Sequence, residues 1–398
     1  MNVDVVGGGI GGLALAVGLV QRGVRPTVHE SATEIRSVGA GISLGANAIA
    51  ALDRLDLAAS VLDAGEQIRQ LRVVDPRGRP LRTVELTTTI EGEPYPYVYV
   101  HRAVLQEVLL DALPSSVLRL GAECTRVEPG SLSSPRDPTI HFADGRTRGA
   151  GVVVGADGIH SVVRRAVVEG EPRRHTGTVT YRGVVPDGHP ESTGAALSKE
   201  TIQIWGRGTR AGVAPLGDGR QYWFVTTDGH VADPDCPGKV LGKLDERFRE
   251  YPSQFPACLE ETPPESLIVT ELSDVAPLPR WHVGGVALLG DAAHAPLPYL
   301  GQGAGQALED AVALARLLGS HSETERGGSG HPTDTAAALA SYERIRKQRA
   351  EWIVRLSRLW WRIAQLEGPL ARARNLLVRY GPESVAAGQQ RWLASPRY

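Results

Sequence analysis

With 398 residues, 42% of them hydrophobic and 22% charged, the chain is long enough for two domains and a substantial core, which excludes a mainly disordered protein. A formal charge of -2 and a pI near 6.6 give no general electrostatic footprint for nucleic acid or for an anionic membrane. Three scattered cysteines, Cys124, Cys236 and Cys258, lack any metal-ligand spacing and fit reduced thiols in a cytoplasmic protein, and no apolar run reaches the roughly 18 residues of a membrane span.

The chain opens on "VDVVGGGIGGLALAVGLVQRGVRPTVHES". A Val-rich strand, a turn of Gly7, Gly9 and Gly12, an Ala/Leu/Val helix and a second strand ending at Glu30 follow one another, which is the βαβ setting that a GxGxxG turn needs. Gly7 permits the tight turn, Gly9 lets a pyrophosphate approach the backbone at the helix N-terminus, and Gly12 lets the helix pack closely on the strand. Glu30, about 20 residues on, is placed to accept hydrogen bonds from an adenosine ribose. The motif alone serves FAD and NAD equally. No basic segment precedes the apolar run, so no signal peptide is expected.

Further along, "VYVHRAVLQEVLLDAL" sets Arg102 at a helix start. "GVVVGADGIHSVVRRAVV" is a buried strand ending at Asp157 and Gly158, with Ser161 and Arg164 at helical spacing beyond. An acid at the carboxyl end of such a strand points to a ligand crevice above a parallel sheet, and the same residue also reads as a helix cap. Four short β-rich runs follow, "TVTYRGVVP", "TIQIWGRG", "AGVAPLG" and "RQYWFVTT", bounded by Gly, Pro and Asp as antiparallel strands are.

"LLGDAAHAPLPYLGQGAGQALEDA" carries Asp291 at another strand end, then Pro298, Gly301, Gln302 and Gly303, then a helix whose buried stripe is Ala304, Leu308, Ala311, Ala315 and Leu318. Glu309 and Asp310 fall on that helix's polar side. "GSHSETERGGSGHPTDT", residues 319–335, reads as a flexible connection. In the last long helix Trp352, Leu356, Leu359, Ile363 and Leu366 form a stripe expected to pack in the core, with the many arginines opposite on a solvated face or a dimer contact.

The three motifs around Gly7, Asp157 and Asp291 together resemble, in type, order and approximate separation, the single-component FAD-dependent aromatic hydroxylases related to para-hydroxybenzoate and salicylate hydroxylases. The resemblance implies an α/β fold: a Rossmann-like FAD-binding domain of the glutathione-reductase type, an inserted mixed β-sheet substrate domain and a C-terminal helical segment. FAD-binding segments are expected at 1–70, 98–175 and 275–320, the substrate sheet at 71–97 and 176–274, and C-terminal helices at 336–398. Asp291 would hydrogen-bond the ribityl chain, Arg102 would reach the ribityl or phosphate region, and Pro298 with the backbone of Gly301, Gln302, Gly303 and Ala304 would lie against the isoalloxazine ring. His294 would shape the loop. The family often has Asn where this chain has Gly305.

With only one GxGxxG turn, NAD(P)H is expected as a transient reductant of FAD, with Asp157 and Arg164 in the motif that the family associates with both cofactors. Reaction with O2 would then give a flavin 4a-hydroperoxide whose electrophilic oxygen enters an electron-rich aromatic or heteroaromatic small molecule. On the substrate sheet Tyr222 and Arg210 are candidates for hydrogen bonding a phenol and for pairing with a carboxylate or phenolate. Arg182 and Tyr181 come next, with Tyr299 beside Pro298; each also reads as an ordinary packed tyrosine or surface arginine. The chain has no Lys before Lys199 and its adjacent Trp pair lies in the C-terminal helix, which disfavours a flavin halogenase. A reductase or dehydrogenase of the same fold and an epoxidase acting on an activated alkene stay open, as do monomer and homodimer.

Overall fold

The computed structural model describes residues 2–35, 39–90, 92–130, 137–186, 199–325 and 332–398. Its central sheet has six strands in the order Leu118–Arg119, Arg25–His29, Asn2–Val6, Val152–Gly155, Val286–Leu288 and His282–Val283, parallel except for the last pair. The middle strands are runs of valine covered on both faces, as the interior of a parallel sheet requires. Val6 lies opposite Gly155 and Gly155 opposite Leu288, so three strands end at one edge. Gly7, Asp157 and Asp291 follow directly from those ends.

Two helices cover this sheet side by side, Ile10–Gln21 and Gly303–Glu325. A Cβ added at Gly11 would meet the Ala307 Cβ at 3.2 Å, and one at Gly18 would meet the Ala315 Cβ at 2.7 Å. The helices therefore run parallel with backbones in close approach, and both N-termini open toward the same end.

The second large sheet has seven strands in the order Ile268–Val275, Arg173–Val185, Gln221–Asp228, Arg210–Pro215, Glu200–Trp205, Gln70–Val74 and Pro80–Glu85. It includes all four expected β-rich runs. It is mixed, because Glu200–Trp205 pairs parallel with Gln70–Val74. Strand alternation divides its side chains. Tyr181, Trp223, Val225 and Val213 lie on the face covered by helices Pro237–Phe248 and Gln254–Glu260. Val184, Tyr222 and Ala214 lie on the opposite face with Tyr99 and Ala40.

The C-terminal helices depart from the sequence reading. The Gly303 helix continues to Glu325 and the next begins at Pro332, so much of the expected connection is helical; residues 326–331 lie outside the described set. Trp352 and Leu359 are exposed, and the long helix instead buries Leu339, Tyr342, Ile353 and Val354 together with Arg346 and Arg349. Those arginines leave the solvated face because Glu309 and Asp310, also fully buried, need cations. No helix among the described residues is long and apolar enough to cross a membrane.

Candidate functional site: a cofactor cleft beneath an aromatic roof

The glycine turn is held from two sides. The Gly8 N–H donates to Glu30 Oε2 at 2.7 Å, while Gln106 Nε2 donates to the Gly8 carbonyl at 2.9 Å. Gly12 is required by packing, since a Cβ there would sit 2.1 Å from the Gly7 carbonyl oxygen. Gly9 is different: a Cβ there would meet no protein atom within 4 Å, and at Gly303 the nearest would be Pro296 Cγ at 4.0 Å. These two glycines open the two parallel helices, and neither helix start has a neighbouring protein group that demands glycine. That leaves the backbone at both helix starts open to close approach.

Asp157 uses both carboxylate oxygens locally. Oδ1 accepts from the Ser161 hydroxyl at 2.5 Å, and Oδ2 accepts from the Val162 and Val163 N–H groups at 2.7 and 3.1 Å. Burial pushes this carboxyl up against those hydrogen bonds. Arg164 is buried and donates to the carbonyls of Ile159 and Ala292, tying this turn to the Asp291 turn. Asp291, Arg102 and Pro298 are all exposed. Protein crowding around Asp291 raises its carboxyl, and the charges of His294 and Arg102 pull it back. A carboxylate that solvent reaches while protein surrounds it is one lying on the floor of a cleft.

Behind the Pro298–Gly303 loop stands a buried polar network that the sequence reading missed. Gly301 adopts φ 62°, and a Cβ there would meet Ser43 Oγ at 2.7 Å. Asn47 fills the space that Gly305 leaves, donating to Gln302 Oε1 at 3.0 Å and to Glu309 Oε1 at 2.7 Å. Glu309 and Asp310, expected on a polar surface, are fully buried, and Arg346 ion-pairs with both, at 2.7 Å to Asp310. His294 meets Asp310 Oδ2 at 2.6 Å, and Arg349 meets Glu309 at 3.2 Å.

Above the loop, the roof candidates Tyr222, Arg210 and Arg182 share the inner face of the seven-stranded sheet. Arg210 lies over the rings of Phe224 and Tyr299, with Tyr97, Tyr99 and Tyr222 close enough to act on its charge. Its Nε and Nη2 donate to Gln203 Oε1, at 3.2 and 2.8 Å, and Nη1 donates to the Tyr299 carbonyl at 3.3 Å. The residue is 9% exposed and has no carboxylate partner among the described residues. Burial pushes the Tyr222 phenol up to about 12, against the pull of Arg182 and Arg210, so the hydroxyl stays neutral. Arg182 donates to Thr270 Oγ1 at 2.8 Å and has a buried Nε without a partner. Tyr181 does not belong here: it points to the opposite face, where its hydroxyl accepts from the Val231 N–H at 2.8 Å. Tyr97, Tyr99 and Phe224 complete the enclosure. The alternation "YVYVHR" just before Arg102 was the available sign of the first two.

The chain is similar to known proteins over most of its length. The FAD binding domain model matches residues 1–357. The aurachin C monooxygenase/isomerase of Stigmatella aurantiaca is 34% identical, with 93% of this chain and 91% of that protein covered. The 3-amino-4-hydroxybenzoate 2-monooxygenase of Streptomyces cremeus is also 34% identical, with 90% and 86% covered. Among solved structures, Klebsiella pneumoniae HpxO complexed with FAD and uric acid matches with a TM-score of 0.85 at 28% identity, over 100% of this chain and 97% of that one.

Proposed function

The chain belongs to the family of FAD-dependent monooxygenases that includes the aromatic hydroxylases, and we propose that it uses NAD(P)H and O2 to place one oxygen atom on an electron-rich aromatic ring bearing a carboxylate or phenolate. The observation that carries the substrate class is Arg210, a buried guanidinium without a carboxylate partner among the described residues, inside a wall of tyrosines facing the Pro298–Gly303 loop. A cation so placed costs desolvation that an anionic substrate offsets.

In this reading Gly9 lets the pyrophosphate of FAD lie on the helix start, in a turn that Gly7 and Gly12 make possible, and Glu30 takes the adenosine ribose. Arg102 and Asp291 hold the ribityl region, Asp157 shapes the adjoining turn, and Pro298 with Gly301, Gln302, Gly303 and Ala304 forms the platform for the ring. Bound FAD supplies acceptance of hydride from NAD(P)H and the activation of O2. The protein's own part is binding, orientation and exclusion of water. Gln203 fixes the Arg210 fork, Arg210 pairs with the substrate's anionic group, and the neutral Tyr222 hydroxyl donates to a substrate oxygen. Phe224, Tyr97, Tyr99 and Tyr299 wall the ring off from solvent. Segments 1–70, 98–175 and 275–320 would form the FAD unit, and 71–97 with 176–274 its substrate cover.

Anaerobic stopped-flow mixing of the FAD-loaded protein with NADPH or NADH, with and without a panel of phenols, aromatic acids and heteroaromatics, tests the proposal. Strong acceleration of flavin reduction by an anionic aromatic, followed by oxygen incorporation on admission of O2, is the expected result. Reduction equally fast without any of them, and no oxygenated product, would favour a reductase instead.

A further inference from the structure

A second concave feature lies apart from the cofactor cleft. The turn between strands Gln70–Val74 and Pro80–Glu85, the hairpin turn after Trp205, the end of helix Pro237–Phe248 and helix Gly368–Tyr380 converge on a cleft of about 530 Å³. Ligand pockets run from about 300 to 1,000 Å³. Each of the four elements sends arginine to it: Arg77 and Arg79, Arg207, Arg247, and Arg372. The carboxylate lining it, Asp75, is already committed, accepting from the N–H groups of Arg77 and Arg79 and pairing with the Arg79 guanidinium at 2.7 Å. Arg77, Arg207, Arg247 and Arg372 have no ion-pair partner among the described residues.

Four uncompensated cations from four separate elements repel one another across a small volume, in a chain whose formal charge is -2. The usual surface arrangement intersperses the two signs. Here the concave wall focuses positive potential inward. The cleft also has Phe248 and Tyr251 in edge contact, 4.9 Å between centroids, with Arg247 over the Phe248 ring. The Tyr251 and Thr209 hydroxyls share one hydrogen bond of 2.8 Å, which leaves the pair one proton to donate.

We infer that this cleft binds a nucleotide carrying at least two phosphate charges, its phosphates on Arg77, Arg207, Arg247 and Arg372 and its base beside Tyr251. No residue of the cofactor cleft takes part, so the inference stands or falls separately from the hydroxylase reading. The same chemistry is offered by the adenosine phosphate end of NAD(P)H and by a free nucleoside diphosphate.

The test is titration calorimetry of the FAD-loaded enzyme with ADP, with 2',5'-ADP and with inorganic pyrophosphate at low and moderate salt. Binding of one nucleotide per chain is expected, weakening with salt and falling by roughly 10-fold or more in each of Arg207→Ala and Arg247→Ala, the size of one charge-assisted hydrogen bond. Arg247→Glu should abolish it, while flavin absorbance reports that each variant is folded and loaded. Competition of ADP with NADPH, and a raised KM for NADPH with little change in kcat in these variants, would identify the reductant as the source. Binding without competition would identify a free nucleotide. Absence of binding to the loaded wild-type enzyme, or binding that the arginine variants leave unchanged, overturns the site.

Discussion

Replacing Arg346 by methionine keeps the bulk of the side chain and removes the cation between two fully buried acids. Breaking a buried ion pair from one side costs about 3–5 kcal/mol, because the remaining charge has lost its solvent and its partner. Here the acids keep other contacts: Asp310 retains His294 and the Gly290 N–H, and Glu309 retains Arg349 and Asn47. Against that, the variant also takes a donor from Gln306 Oε1 and strands the Arg397 carbonyl, to which Arg346 donates. A loss of about 4 kcal/mol follows, which moves a urea midpoint down by roughly 1.3–2 M for an m-value of about 2–3 kcal/mol/M. Equilibrium unfolding of the FAD-loaded protein measures it. Neutralising the acids together with both arginines, as Arg346→Met and Arg349→Met with Glu309→Gln and Asp310→Asn, should recover part of the loss, because Arg349 would otherwise stay buried without its carboxylate. A single-variant cost below about 1 kcal/mol, or no recovery in the fourfold variant, would refute the reasoning. Burial pushes the Asp310 carboxyl up, but His294 and Arg346 outweigh it and hold it below the usual range. Its contribution is therefore complete above the unfolded carboxylate value of about 3.9 and is lost as pH falls below that toward the lowered folded value.

Gly9→Ala should leave the apoprotein's thermal stability within about 0.5 kcal/mol and weaken FAD binding, read by flavin fluorescence, whereas Gly12→Ala should destabilise the apoprotein by well over 1 kcal/mol in the same melt. Arg210→Gln should lower kcat/KM for an anionic aromatic by roughly 30- to 150-fold, about 2–3 kcal/mol, with the flavin spectrum intact; an effect below threefold would remove Arg210 from the substrate's binding. Because burial holds the Tyr222 phenol near 12, wild type and Tyr222→Phe should show the same pH dependence of kcat/KM between pH 7 and 10 while differing in magnitude. A limb in that range that disappears in the phenylalanine variant would show that Tyr222 titrates there.

What was legible in the sequence was what is written locally. Gly7, Gly9, Gly12 and Glu30 fall within one βαβ unit, and Asp157 and Asp291 each end a short valine- or leucine-rich strand. In a strand, "RQYWFVTT" puts Tyr222 and Phe224 on one face and Trp223 and Val225 on the other, but it carries no sign of which set faces the cleft. The helices Pro237–Phe248 and Gln254–Glu260 decide that by covering the Trp223 side, and the same choice sends Tyr181 away while keeping Arg182. Glu309, Asp310, Arg346 and Arg349 look solvated from sequence because charge usually is. Their burial depends on pairing across more than thirty intervening residues, which a helical period does not report. Asn47 was invisible for the same reason, since its partners Gln302 and Glu309 lie near the other end of the chain.

The order of the central strands bears on how the protein is made. Val5 pairs with Val154, and Val154 with Ala287, so the first strand leaves the ribosome long before the neighbours on one side of it have been synthesised. The acids of the Gly303 helix likewise emerge before Arg346 and Arg349. Pairings of such long sequence separation are slow to form, and N-terminal segments wait for them with apolar surface uncovered. A nascent chain therefore has the glycine turn but no cleft to go with it. The cleft closes only when strand Val286–Leu288 and helix Gly303–Glu325 have been added.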